Sequence, residues 1–234
     1  MILCLETSTS VCSVALCDST GPADLKESSG EKSHASLLTV FIAELLEKAG
    51  LKANELEAVA VSKGPGSYTG LRIGVSTAKG IAYAASVPLI GVETTLSMFH
   101  GIDDTLKKNQ GPDNSSLFVP MLDARRMEVY YSILDAEGNT VKETAAEIID
   151  ENSFTEIPPQ IKLIFFGDGA GKCRDIIRRE NVVFADEFRI SAAHMYQPAF
   201  KSLRQQNFED IAYFEPFYLK DFITSRPKKN ILGR

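Results

Sequence analysis

Two stretches of this chain carry the same order of elements, and that internal duplication restricts the fold more than any other feature. The first opens with Ile2–Thr7, an apolar run ending in the acid Glu6, which reads as a buried strand. Cys12–Asp18 alternates as a second strand and Ala23–Ser28 supplies a third, separated by segments rich in Ser, Thr, Gly and Pro. A helix over Ala35–Ala49, a strand over Ala58–Ser62, the loop Lys63-Gly64-Pro65-Gly66-Ser67 and a second helix over Thr69–Ser86 complete the unit. The second stretch runs through strands Leu117–Leu122, Glu128–Leu134 and Thr140–Thr144, with a turn at Glu137-Gly138-Asn139. A short helical segment near Asp150–Thr155, strand Lys162–Phe166, the loop Gly167-Asp168-Gly169-Ala170-Gly171 and a helix over Lys172–Arg179 follow. Each stretch reads β-β-β-α-β-α, with an acid closing its first strand and a glycine-rich loop before its last helix.

A three-strand meander followed by αβα, written twice, is the plan of the actin-like and sugar-kinase ATPase (ASKHA) fold, an α/β architecture of two subdomains. On this reading residues 1–100 form the first subdomain and 117–200 the second. The linker is Gly101–Ser116, polar and containing Gly111-Pro112. The segment beyond Asp186 packs back through a C-terminal helix, and residues 201–234 end in the basic run Arg226-Pro227-Lys228-Lys229 and Arg234, read as a solvated tail. With 25 basic against 31 acidic residues the formal net charge is −6, which argues against autonomous binding to a nucleic-acid backbone. No stretch approaches the roughly 18–20 apolar residues of a membrane helix. The start of the chain has no basic region and meets Glu6 early, so it does not read as a signal peptide. Cys4, Cys12, Cys17 and Cys173 make no CxxC pair, and a cytoplasmic, reduced protein is expected.

Both helices of the first stretch carry more apolar or small surface than one sheet requires. In Ala35–Ala49, with Ser33 as N-cap and Gly50 as C-cap, Leu37, Leu38, Val40, Phe41, Ile42, Leu45 and Leu46 point around most of the circumference. In Thr69–Ser86, Gly70, Gly74, Ala78 and Ala82 recur every fourth residue and leave a stripe almost without side chains. An interior glycine costs about 0.5–1 kcal/mol relative to alanine, so close approach by another backbone is expected to offset Gly70, Gly74 and Gly80. Either the chain's own sheet or another subunit meets that requirement. Ile73, Thr77, Ile81 and Ala84 form a second face available to a partner.

Catalytic equipment is sparse. Gly64, Gly66 and Ser67 stand between a strand and a helix N-terminus, where backbone N–H groups hold anions, so a weak nucleotide or anion loop is one reading and a structural turn the other. Neither glycine-rich loop is a Walker A sequence, and Gly167–Cys173 ends in Cys where that motif needs Ser or Thr. His34, His100 and His194 have no partner at metal-ligand spacing, and no nucleophile elbow is present. Glu6 and Asp123 either orient a magnesium-bound phosphate or cap neighbouring turns.

The blocks Ile2-Leu3-Cys4-Leu5-Glu6-Thr7-Ser8, Ser33-His34, Gly64-Pro65-Gly66-Ser67-Tyr68-Thr69-Gly70-Leu71-Arg72-Ile73-Gly74, Val87-Pro88-Leu89-Ile90-Gly91-Val92 and Asp123-Ala124-Arg125-Arg126-Met127-Glu128-Val129-Tyr130 stand in the order found in the TsaB (YeaZ) family, which the chain resembles from Met1 to about Tyr131. The resemblance implies a non-catalytic scaffold in threonylcarbamoyladenosine synthesis on tRNA. It implies pairing with the catalytic, similarly folded paralogue TsaD, a small ATPase, TsaE, joining them, and homodimerisation when alone. ATP and metal then belong to the partner subunits, this chain needs no cofactor, and tRNA is met only through the complex. The two metal-binding histidines of TsaD fall here on Thr94 and Met98. The family's dimer surface implies an interface of Leu38, Phe41, Ile42, Leu45, Gly70, Ile73, Gly74, Thr77, Ala78 and Ile81. The main alternative is a self-sufficient ATP-dependent small-molecule kinase or ATPase of the same fold; a metallopeptidase has no ligand set to support it.

Overall fold

The computed structural model describes residues 1–29, 34–108 and 116–219. Ser33, Gly111-Pro112 and the basic run from Arg226 to Arg234 lie outside them. Strands β1 (Ile2–Glu6), β2 (Val11–Asp18) and β3 (Gly21–Ser29) precede helix α1 (His34–Ala49). They are followed by β4 (Ala58–Gly64), α2 (Tyr68–Ala85), β5 (Leu89–Glu93), α3 (Thr94–Gly101) and the short α4 (Asp104–Lys108). The second stretch contributes β6 (Ser116–Asp123), β7 (Glu128–Leu134), β8 (Thr140–Ile148), β9 (Lys162–Phe166) and β10 (Val182–Ala185), before α5 (Tyr196–Arg204).

The duplication is explicit in the pairing. One sheet has the order β3-β2-β1-β4-β5 and the other the order β8-β7-β6-β9-β10. In each, the first three strands run antiparallel and the last two join the first in parallel. The central strands of the first sheet are apolar on both faces, as parallel strands covered on both sides must be. Leu3, Leu5, Val59, Val61 and Leu89 face α1 and α2. Ile2, Cys4, Ala58, Ala60, Ile90 and Val92 face Ala192, Met195, Ala199 and Phe200, which come from the approach to α5 and from α5 itself. All four cysteines are free and buried. Among the described residues no helix is long and apolar enough to cross a membrane.

Three expectations require correction. Asp150–Thr155 forms turns rather than a helix: Asp150 N–H donates to Ser153 Oγ at 2.9 Å and Asn152 N–H to Asp150 Oδ1 at 2.9 Å. Such local side-chain bonds compete with the helical ladder. Lys172–Arg179 closes only the 3₁₀ turn Gly171–Cys173 and further turns. The Arg179 guanidinium instead donates to the carbonyls of Phe154, Ile157, Pro158 and Ile161 at 2.6–3.2 Å, tying down the loop that covers this face of the second sheet. Third, residues 192–200 pack on the first sheet, so the packing does not follow a second unit ending at residue 200. The two halves share a core in which Met98, Phe99 and Ile102 meet Phe118, Leu122, Phe166 and Ile190.

Candidate functional site

Helix α2 is the element on which the candidate surface is built. Its N-cap, Ser67, accepts from Gly70 N at 3.3 Å, and Ser86 closes its C-terminus in the left-handed conformation at φ 58°. At 100° per residue its circumference divides into three sectors. Gly70, Leu71, Gly74, Val75, Ala78 and Ala82 are buried inward. A Cβ on Gly70 would stand 2.0 Å from Thr7 O, and one on Gly74 2.3 Å from Thr7 Oγ1. Thr7 Oγ1 in turn donates to Gly70 O at 2.8 Å. The small-residue stripe therefore lets the end of β1 approach α2. Gly70, Gly74 and Ala78 serve the chain's own core and are not a partner surface.

The second sector holds the C-terminal segment. Lys79 Nζ donates to Phe214 O at 2.9 Å and to Ala212 O at 3.3 Å. Phe217 N–H reaches Lys63 O at 2.6 Å, Glu209 N–H reaches Leu89 O at 2.8 Å, and the Tyr68 and Tyr218 rings lie 4.7 Å apart. Phe214 is buried in the first core. This strap passes close over β4, where a Cβ on Gly64 would meet Phe217 O at 2.6 Å. Nothing in the sequence pattern pairs Lys79 with that segment, because backbone carbonyls leave no residue signature.

The third sector is open. Ile73, Thr77 and Ile81 are half-buried, Gly80 and Ala84 exposed, and Tyr83 is 78% exposed. A Cβ on Gly80 would meet nothing within 4 Å. A shallow depression of about 430 Å³ lies there between Gly80, Ile81, Ala84, Ala85 and Ala53-Asn54. On helix α1, in contact with α2, Leu37, Phe41 and Leu46 are half-buried against the core, Phe41 also lying under Lys26 of β3, Val40 is 46% exposed, and Leu38, Ile42 and Leu45 point into the core. Of the ten residues expected at an interface, Phe41, Ile73, Thr77 and Ile81 are half-buried and reach the surface. Leu38, Ile42, Leu45, Gly70, Gly74 and Ala78 do not.

The acids and glycine-rich loops that phosphate chemistry would call on are largely engaged by the chain itself. Glu6 is fully buried; its Oε1 accepts from Ser8 N at 2.6 Å and Ser62 Oγ at 2.9 Å, and its Oε2 has no partner. Burial raises its carboxyl pKa against the pull of the Ser8 and Ser62 hydrogen bonds. The Gly64–Ser67 turn is pressed onto the end of β1: Ser67 N–H donates to Ser8 O at 2.6 Å, and a Cβ on Gly66 would stand 2.4 Å from the same oxygen. The second half repeats the device, Gly169 N–H donating to Met121 O at 3.0 Å. Asp123, about half exposed, accepts from Lys172 Nζ and from Arg125 N at 2.9 Å. Partial burial works to raise its pKa, and those bonds outweigh it and hold it below the usual carboxylate range. Thr94 and Met98 are buried at α3. Among the described residues no group of three His, Cys, Asp or Glu side chains is disposed to hold a metal ion.

Two five-stranded sheets of identical order, each with a glycine-rich turn folded against the end of its first strand, define a duplicated ASKHA-type fold. The model of the family described as "TsaD: tRNA N6-adenosine threonylcarbamoyltransferase" matches residues 28–222. The tRNA threonylcarbamoyladenosine biosynthesis protein TsaB of Escherichia coli (strain K12) is 28% identical over 227 residues, 94% of either chain. A tRNA N6-adenosine threonylcarbamoyltransferase of Geotalea daltonii is 39% identical over 61 residues, 26% of this chain and 18% of that one. A Pseudomonas aeruginosa crystal structure, described as an uncharacterized protein with similarity to peptidase YEAZ, superposes with TM-score 0.77 at 23% identity, covering 94% of this chain and 99% of that one. The chain belongs to the TsaD family, within its TsaB (YeaZ) group.

Proposed function

We propose that this chain is a non-catalytic subunit in tRNA threonylcarbamoyladenosine biosynthesis, pairing with and activating a catalytic TsaD-type paralogue. The observation that carries the reading is the third sector of α2. There Gly80 and Ala84 are exposed, and Ile73, Thr77 and Ile81, half-buried along the edge of the core, complete a largely apolar face beside the depression at Ala53-Asn54. An exposed helix sector of small and apolar residues suits a binding face. The local likeness to a threonylcarbamoyltransferase supports a partner built on the same unit. Thr94 and Met98, where the catalytic paralogue carries metal-binding histidines, support placing metal and ATP in the partner, with a TsaE-type ATPase joining the pair and self-association through the same face when the partner is absent.

Co-expression with the TsaD-type subunit tests the reading. A stable assembly that modifies tRNA is expected, with neither subunit active alone. Magnesium-dependent ATP turnover by this chain alone would instead favour the kinase or ATPase alternative, and retained modification without this chain would overturn the proposal.

A further inference from the structure

The far side of the first sheet carries a second surface of different character. From Phe188 to Phe208 the sequence contains no Asp or Glu, in a chain of net charge −6, while Arg189, Lys201 and Arg204 add positive charge. Helix α5 packs Ala199 and Phe200 onto Ile2, Cys4, Ala15 and Cys17, on the sheet face opposite α1 and α2. Between α5 and the β2–β3 turn lies a cavity of about 340 Å³. Its walls carry Lys201 and Arg204, one helical turn apart, with Tyr196, Gln197, Gln205 and Ser19 around them. Lys201, Arg204, Gln197, Gln205 and Ser19 are exposed. Among the described residues neither Lys201 nor Arg204 has an ion-pair partner, and the adjacent acid, Asp18, is taken up by Thr20 and Gly21. Gln197 Nε2 donates to Tyr196 Oη at 2.7 Å, which holds the phenol at the rim.

We infer that this α5 cavity is a contact for the phosphodiester backbone of RNA. Two cations on one helix face, without an ion-pair partner among the described residues, suit successive phosphates, and amide, hydroxyl and tyrosine groups beside them suit sugar and base edges. The inference rests on the proposed tRNA function and deepens it. Because α5 lies across the sheet from the open sector of α2, the cavity stays accessible when a partner occupies that sector. The overall acidity of the chain makes this an auxiliary contact within an assembly.

The test uses the assembly with the TsaD-type subunit and an unmodified tRNA transcript as probe. Lys201→Glu/Arg204→Glu is expected to weaken tRNA binding about tenfold or more. It should also reduce the slope of log affinity against log salt by about 1–2, as two lost phosphate contacts require. KM for tRNA should rise with kcat and the assembly's mass unchanged. The single variant Lys201→Glu should weaken binding more than the equally charge-altering Arg178→Glu, an exposed site in the second half. Unchanged affinity and slope overturn the inference, as does an equal loss in Arg178→Glu, which would mark a net-charge effect. Binding is read directly, so it is decided even if the wild-type assembly fails to modify tRNA, a result that would count against the proposed function instead.

Discussion

Single residues in α2 show how much a missing Cβ decides. Gly70, Gly74 and Gly80 look alike in the sequence, yet only the first two lie under another part of the chain. Gly70→Ala drives a methyl into the Thr7 carbonyl and is expected to destabilise by about 2 kcal/mol or more, since neither backbone can yield without disturbing the core. Gly80→Ala meets nothing and should stabilise by about 0.5–1 kcal/mol through helix propensity. Chemical denaturation of the two variants checks both, and equal effects would contradict the assignment. The sequence revealed that close approach was needed along this stripe. It did not reveal that the approaching backbone was Thr7, because a glycine records the demand and not the neighbour. His100 and His194 make a second residue-scale prediction. Burial, then the charge of Lys107 and a smaller effect of Lys201, push His100 down to about 4 against the opposing Gln197 hydrogen bond. Burial also pushes His194 down to about 4, with Glu27 opposing and Lys107 and His100 adding to the effect. The unfolded chain, with an ordinary histidine pKa near 6.5, takes up these protons first. Stability therefore falls as pH drops from about 6.5 towards 4, by roughly 1–3 kcal/mol per ring, and is unaffected by these groups above that window. Glu6, raised by burial, acts in the opposite direction. In His194→Asn, the loss of melting temperature between pH 7.5 and 5 should shrink relative to wild type; an unchanged loss would contradict this.

At the scale of elements, β1 to α2 were legible in the first half and β6 to β9 in the second, whereas β5, α3, α4 and β10 extend the six-element unit read from the sequence. Strand alternation and helix caps survive in sequence because each is local: Gly50, at φ 65°, ends α1 where it was expected to. The segment Lys172–Arg179 has helical composition, but after the 3₁₀ turn at Gly171–Cys173 it forms only turns before β10 begins at Val182. The side chain that would have sat on its surface, Arg179, is used to gather four carbonyls of the 154–161 loop. Arg179→Met should therefore destabilise by about 2–4 kcal/mol, with faster amide exchange concentrated in that loop. A uniform change across the chain would argue against the role. The strap over α2 left no sequence signal apart from Phe214, whose burial contributes about 1.5–3 kcal/mol. Phe214→Ala should lower the melting temperature and release the Lys79 contacts without altering the open sector.

Considered as a whole, the molecule is a duplicated unit whose two halves have been put to different uses. The first keeps both helices and turns one sector of α2 outward; the second keeps its sheet and replaces helices with turns. The acids and turns that could have addressed a phosphate are largely engaged internally, and one sector of α2 is left open with Gly80 and Ala84 exposed. Partner recognition is accordingly the property to test, and the variants must spare the core: Gly80 and Ala84 qualify, whereas Gly74 does not. The decisive measurement is the mass in solution of Gly80→Arg/Ala84→Arg mixed with the TsaD-type subunit. A variant with wild-type thermal stability that stays separate from its partner, and no longer supports tRNA modification, is predicted. Assembly as complete as that of the wild type would contradict the central claim.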